Sequence, residues 1–183
     1  MAANKFWSDS SLEPKRQHRW LLYVGGEPIP GSTQGTIGIP TFVVKSVAKP
    51  TVTVTETVHN FFGHKFYYPG MVEWGTTSFT LVDPVNPDVS QKVYEALTSG
   101  GYNVPESQPV STVTKDLSVR ALGNIETLQQ LSADGNTVVD QFQLWNPWIT
   151  NIEFGTLDYE SDAFVEINLT IRYDYATFDT GQG

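Results

Sequence analysis

The chain has 183 residues, of which 39% are hydrophobic, 13% aromatic and 17% charged, the proportions of a folded domain with its own core and not of a disordered chain. Twenty acidic against 11 basic residues leave a net charge of −9, which argues against a protein that grips nucleic acid, since such domains concentrate Lys and Arg against phosphates. The absence of cysteine rules out disulfides and thiolate metal sites and fits a reducing cytoplasm, and no apolar run is long enough to suggest membrane anchoring or a signal-peptide core.

Residues 1–18 read as a polar arm anchored by Phe6, Trp7 and Leu12, and the basic cluster from Lys15 to Arg19 as its solvated end. A first strand is predicted at 19–24 and stopped by Gly25-Gly26. Residues 27–38 have loop composition. Strand resumes at 42–47, and Pro50 marks a bend. Thr51 to Val58 alternates threonine with valine, as a pleated surface favours. Residues 59–65 read as a loop, 65–68 as extended chain ending at a Pro69-Gly70 turn, and 74–82 as a strand with Phe79 and Leu81 on one face.

One helix is predicted over 87–98, with Asn86 as N-cap, Pro87 in the first position, Val89, Val93 and Leu97 at helical spacing, and Gly100-Gly101 as its stop. After residues 104–114, rich in Pro, Ser and Thr, the chain returns to strand: a hairpin of 125–131 and 137–145 about a turn at 133–136, then 148–154. From Phe164 to Tyr175 apolar and polar residues alternate without a break. As one strand at roughly 3.3 Å per residue this would run about 40 Å, a length suited to a barrel wall or an assembly. Residues 177–183 read as a polar tail. Strands with one helix, no strand–helix alternation and no repeat predict a mostly β fold, an antiparallel sandwich or barrel with one flanking α-helix.

Nothing nominates catalysis. His59 and His64 lack a zinc-ligand spacing or supporting carboxylates. Asp158, Glu160 and Asp162 crowd one acidic turn without the glycine and spacing of a calcium loop. No nucleophile elbow or phosphate-cradling glycine loop is present, and no cofactor is expected. Trp145 and Trp148 flank Asn146-Pro147; they suit a β-protein core, with a sugar-stacking platform, and hence a carbohydrate-binding β-sandwich, as the competing reading.

The order of several motifs resembles the tail tube proteins of contractile-tailed, myovirus-type bacteriophages. They are the run from Phe42 to Pro50, Phe66 to Trp74 with its Pro-Gly pair, Leu81-Val82-Asp83-Pro84 before the helix, Gln143 to Ile149, Phe154 to Tyr159, and Ile171 to Ala176. The resemblance covers roughly residues 19–176, as a single tube domain between the arm and the tail. It implies a non-enzymatic subunit that forms hexameric rings, whose strands join one ring-wide barrel, stacked into a hollow tube within a contractile sheath. The implied partners are other copies of itself and the sheath, baseplate and tail-terminator proteins. The implied setting is a virion tail assembled in the host cytoplasm. The same architecture occurs in R-type bacteriocins, extracellular injection systems and type VI tubes, which are the alternative. A barrel of about 24 strands tilted about 40° would leave a lumen near 38 Å, wide enough for a DNA duplex to pass without specific binding. An acidic protein offers phosphates little purchase there.

Two sets of site residues follow from that expectation. Thr76, Ser78 and Thr80, with Thr127, Gln129, Gln141 and Gln143, are candidates for the lumen wall, being polar, not basic, and alternating with apolar neighbours. The segment Thr57, Val58, His59, Asn60, Phe61, Phe62, Gly63, His64 is the candidate inter-ring loop, because two adjacent phenylalanines on an exposed loop call for a docking partner.

Overall fold

Apolar–polar alternation suits sheets buried on one face, and the described residues form ten strands in three antiparallel sheets. The computed structural model describes residues 14–25, 37–105, 112–123 and 125–181. Residues 1–13 of the expected arm, 27–36 of the first loop, 106–111 of the Pro/Ser/Thr-rich stretch and 182–183 of the tail lie outside the described residues. One sheet runs in the order β1 (Trp20–Tyr23), β6 (Ile125–Leu131), β7 (Val138–Trp145), β10 (Tyr175–Thr180). A second runs in the order β2 (Val44–Val47), β5 (Thr76–Val82), β9 (Glu166–Arg172), β8 (Trp148–Glu153). Leu22, Leu128 and Leu144 from the first interlock with Phe79, Leu81, Ile167, Leu169 and Ile171 from the second as one core.

The unbroken alternation from 164 to 175 is not one strand. β9 ends at Arg172, the Asp174 amide donates to the Trp145 carbonyl at 3.0 Å, and the chain crosses to the other sheet as β10. The corner leaves Tyr173 buried and Tyr175 exposed. Alternation survives a sheet switch, so periodicity alone overstates the strand length. The expected polar tail is strand as far as Thr180, paired with β7 from Tyr175↔Trp145 to Thr180↔Asp140. Its polar composition reflects an exposed edge.

The described residues include two α-helices, where the sequence predicts one. α1 (Val89–Ser99) begins two residues later than expected. Asp88 is the N-cap, its carboxylate accepting from the Gln91 amide at 2.9 Å, while Asp83 accepts from the amides of Val89 and Ser90 at 3.0 and 3.2 Å. Two carboxylates thus satisfy donors that open every helix. Val89, Val93 and Ala96 are buried, and Leu97 is only half-buried. α2 (Lys115–Leu122) lies between the Pro/Ser/Thr-rich stretch and the first strand of the predicted hairpin, where no helix is expected. Thr114 caps its first turn, Arg120 pairs with Asp116 one turn away at 3.1 Å, and Gly123 ends it at φ +84°. Val89, Val93 and Leu122 close the core between the sheets.

The loop expected at 59–65 is instead the end of a long hairpin, β3 (Val52–Phe61) against β4 (His64–Trp74). Only Phe62 and Gly63 form the turn, at φ +49° and +77°, the pattern of a two-residue I′ turn whose twist matches the strands. Pro69-Gly70 is no turn; it sits in β4 where the register slips between Val54 and Glu56. Thr55 Oγ1 there accepts from the Met71 amide at 2.8 Å, and a Cβ on Gly70 would lie 2.5 Å from that oxygen. The bulge therefore requires glycine at 70. Among the described residues, no helix is long and apolar enough to cross a membrane.

Candidate assembly surfaces

The hairpin is the most exposed part of the described chain. Every residue from 51 to 73 is exposed, and the ribbon meets the rest of its subunit at its base, where Glu73 pairs with Arg172 and Trp74 lies against the core. It springs from the end of β5 at Thr76, where the Gly75 amide donates to the Thr51 carbonyl at 2.9 Å. Of the expected inter-ring segment, Thr57 to Phe61 lie in β3, Phe62 and Gly63 in the turn, and His64 opens β4. The Phe61 and Phe62 rings meet edge to face at 4.5 Å, and His59 stacks near Phe61 at 6.5 Å. Phe62 is 87% exposed and holds a left-handed backbone that bulky residues avoid. A site favouring Asn or Gly for folding carries an exposed aromatic instead, as expected of a residue kept for contact.

The seven residues expected along one lumen wall divide between two faces. Thr76, Ser78 and Thr80 point outward from the β5–β9 sheet, opposite Phe79 and Leu81. Thr127, Gln129, Gln141 and Gln143 lie on the side of the β6–β7 sheet opposite Leu128 and Leu144, where the three glutamines are partly exposed and Thr127 is covered. They cannot form a single surface. On the first face Ser46, Ser78, Thr80, Asn168, Thr170 and Asn151 make a polar band, with Thr80 donating to Asn168 Oδ1 at 2.8 Å. Its charges sit toward the ends and are largely matched: Lys45 pairs with Glu166, and Arg172 with Glu73 at 3.1 Å. The second face is more apolar. Tyr23 stands beside Thr127 and Leu21 beside Gln129, and Trp145 stacks on Tyr175 at 5.8 Å. Gln129 donates to Gln141 at 2.9 Å, and Thr127 is fully buried.

A third surface was not legible as one. Residues 154–165, between β8 and β9, make an excursion whose groove of about 1060 Å³ is lined by Phe154, Leu157, Asp158, Tyr159 and Phe164, among others. Leu157, Tyr159 and Phe164 are among the most exposed apolar residues described. The acidic turn of Asp158, Glu160 and Asp162 lies in this loop, with Asp158 accepting from the Glu160 amide at 3.0 Å. The available signal is Leu157 and Tyr159 interleaved with acids between the predicted strands, with Phe154 and Phe164 at the ends of those strands.

Trp145 and Trp148 lie in different sheets, both half-buried, and Trp145 Nε1 donates to Thr177 Oγ1 at 3.1 Å. Lys15 of the basic cluster pairs with Asp140. The one strongly perturbed carboxyl is Glu126, which points into the core beside Leu128. Burial pushes its pKa up to about 8, the Gly25 amide offsetting only part of the effect. The Gly25 amide acts on it without the geometry of a full hydrogen bond, so neither carboxyl oxygen is satisfied among the described residues, and the same holds for Thr77 Oγ1, Thr127 Oγ1 and Tyr173 Oη. Thr77, Glu126 and Tyr173 lie at the end of the sandwich from which the hairpin springs.

No family model and no curated protein matches the sequence. Solved structures match in fold. A chain from the cryo-EM structure of an extracellular contractile injection system, the PVC sheath/tube terminator in the extended state, aligns with a TM-score of 0.64 at 14% identity, covering 93% of this chain and 100% of that one. A chain from the tube-terminating cap of the anti-feeding prophage aligns with a TM-score of 0.65 at 14% identity, covering 98% and 99%. One from the PVC sheath–tube complex aligns with a TM-score of 0.60 at 15% identity, covering 91% and 92%. The chain is thus a mostly β, antiparallel protein with the fold of tail-tube-like components of contractile injection systems.

Proposed function

We propose that the protein is the structural, non-enzymatic subunit of a tail tube, forming hexameric rings that stack into a conduit. The observation that carries this reading is a two-sheet sandwich from which an exposed, aromatic-tipped hairpin projects. Apolar surface of that kind is retained by a protein that buries it against a partner. The fold shared with sheath–tube and terminator assemblies supports the same role. Each sheet leaves two edge strands open, and edges paired between copies close a ring without an aggregating border.

In this reading the lumen wall is the outer face of the β5–β9 sheet, with Thr76, Ser78 and Thr80. Its short polar side chains and matched charges give a polyanion little to hold. The face bearing Gln129, Gln141 and Gln143, with Thr127 covered on the same side, turns to neighbouring proteins, where Leu21, Trp145 and Tyr175 provide contact area. The tube belongs to a phage tail assembled in the host cytoplasm, passes DNA at ejection, and meets sheath, baseplate and terminator proteins. A second reading, the tube of a non-phage injection system, is favoured by the source of the matching structures. Cargo separates the two: nuclease-protected DNA in filled tubes, or protein.

Negative-stain microscopy of the purified protein is expected to show rings or tubes, and a monodisperse small particle at high concentration would sink the proposal. Phe61→Ser with Phe62→Ser is expected to leave folded subunits or single rings that no longer elongate, since burying two aromatics contributes roughly 3–6 kcal/mol. Normal tubes from that variant would place the docking contact elsewhere.

A further inference from the structure

Resting on the tube reading, we propose that the Phe61-Phe62 tip of one copy seats in the β8–β9 groove of the copy stacked on it. The two surfaces lie at opposite ends of one sheet. β5 starts at Thr76, next to the base of the hairpin, and ends at Val82, which pairs with Glu166 just past residues 154–165. The hairpin therefore leaves one end of the subunit while the groove opens at the other. Neither can satisfy the other within one copy.

Both surfaces are apolar and their charges are complementary. Between residues 57 and 72 there is no acid, and His59, His64 and Lys65 flank the aromatic tip. Between 153 and 166 there are five acids and no Lys or Arg. The groove is open on one side and has a volume of about 1060 Å³, which leaves room for two phenyl rings. Phe154, Leu157, Tyr159 and Phe164 supply apolar walls, with Glu153 and Asp158 beside them. The ten residues of β3 reach about 33 Å beyond the sheet, enough to cross into a neighbour. A contact between two different patches at opposite ends is heterologous, and repeating it generates an open filament and not a closed dimer.

The chain has no cysteine, so Phe62→Cys with Leu157→Cys introduces the only thiols, at positions each 87% exposed in the subunit. Mild oxidation of assembled tubes is expected to give a ladder of disulfide-linked multimers on a non-reducing gel, while each single variant stays monomeric. Tubes of the double variant without a ladder would overturn the groove assignment and leave the tube reading standing. Dimers from Phe62→Cys alone would overturn it in favour of tip-to-tip contact. Wild-type protein that forms no rings or tubes would bring down both. Independently, Lys65→Glu and Asp158→Lys are each expected to weaken elongation, by about fivefold for a single exposed charge pair, and to restore it when combined. A combination no better than the single variants would count against the contact.

Discussion

Glu126 shows what a single residue does to the conditions under which this fold is stable. Its carboxyl is wholly buried, and its pKa is raised from 4.5 to about 8, so the folded state favours the neutral acid. Stability from this residue is fully present below pH 4.5 and is lost as pH rises through about 8. By linkage the loss between pH 5 and pH 9 is of order 3–5 kcal/mol. Urea midpoints of the wild type are expected to fall over that range, and Glu126→Gln to flatten the profile and stabilise the protein at pH 9. Superimposable profiles would show that the carboxyl finds a partner. The sequence gives no warning of this group. Ile125-Glu126-Thr127-Leu128-Gln129 puts Glu126 in phase with Leu128, but the flanking polar residues make a charged strand face look solvated. Burial here comes from the opposing sheet, which local pattern does not reveal.

At the scale of elements, helix and strand existence followed from short-range chemistry where packing agreed with it. The 125–131 and 138–145 hairpin, the strand at 76–82 and the first helix all lie close to where alternation, turn residues and spacing put them. The boundary of α1 moved because Asp83, at the end of a neighbouring strand, helps Asp88 hold its first amides, a contact set by tertiary structure. That shift changes which side chain is the sensitive probe. Val93 is 2% exposed, and Val93→Ala is expected to destabilise the subunit by roughly 1–3 kcal/mol. Leu97→Ala should cost less than a full core truncation because Leu97 is half-buried. Urea melts giving the reverse order would mean that the helix is turned about its axis. α2 was overlooked although its cap, its Asp116–Arg120 pair and its terminal glycine were all present. Eight residues next to a Pro/Ser/Thr-rich stretch carry too little periodic signal to outweigh the strands around them.

For the whole molecule, strand periodicity distinguishes inside from outside but does not tell one outside from another. That is why Ser78 and Gln143, read as neighbours along one wall, stand on opposite faces of the sandwich. Sheet membership is decided by pairings such as Thr76↔Arg172 and Thr127↔Gln143, the first of which joins residues far apart in the chain. The corner at Tyr173-Asp174 hid for the same reason, since either sheet could accept the strand that follows it. What did read through was the presence of a Phe-Phe segment with no core to enter. Its form was missed, because Phe62-Gly63 lacks the Asn-Gly signature of a tight turn and the β-branched run stops at Val58.

A ribbon of two strands that is exposed from residue 51 to 73 and meets the core only through Trp74 at its base has a kinetic consequence. Such a ribbon is marginally stable in water by itself, so its ordering falls due when the first intersubunit contact forms. Spontaneous polymerisation then begins with a costly nucleus, whereas addition to an existing end meets a receiving surface already in place. Purified subunits are expected to show a lag that sonicated tube fragments abolish, with amide hydrogen exchange at 53–73 fast in the free subunit and at least about 100-fold slower in tubes, as for segments that pass from local opening to global protection. Growth without a lag, or amides already protected in the free subunit, would mean that the hairpin is ordered before it binds. A device of this kind keeps free subunits in reserve until a template starts the tube.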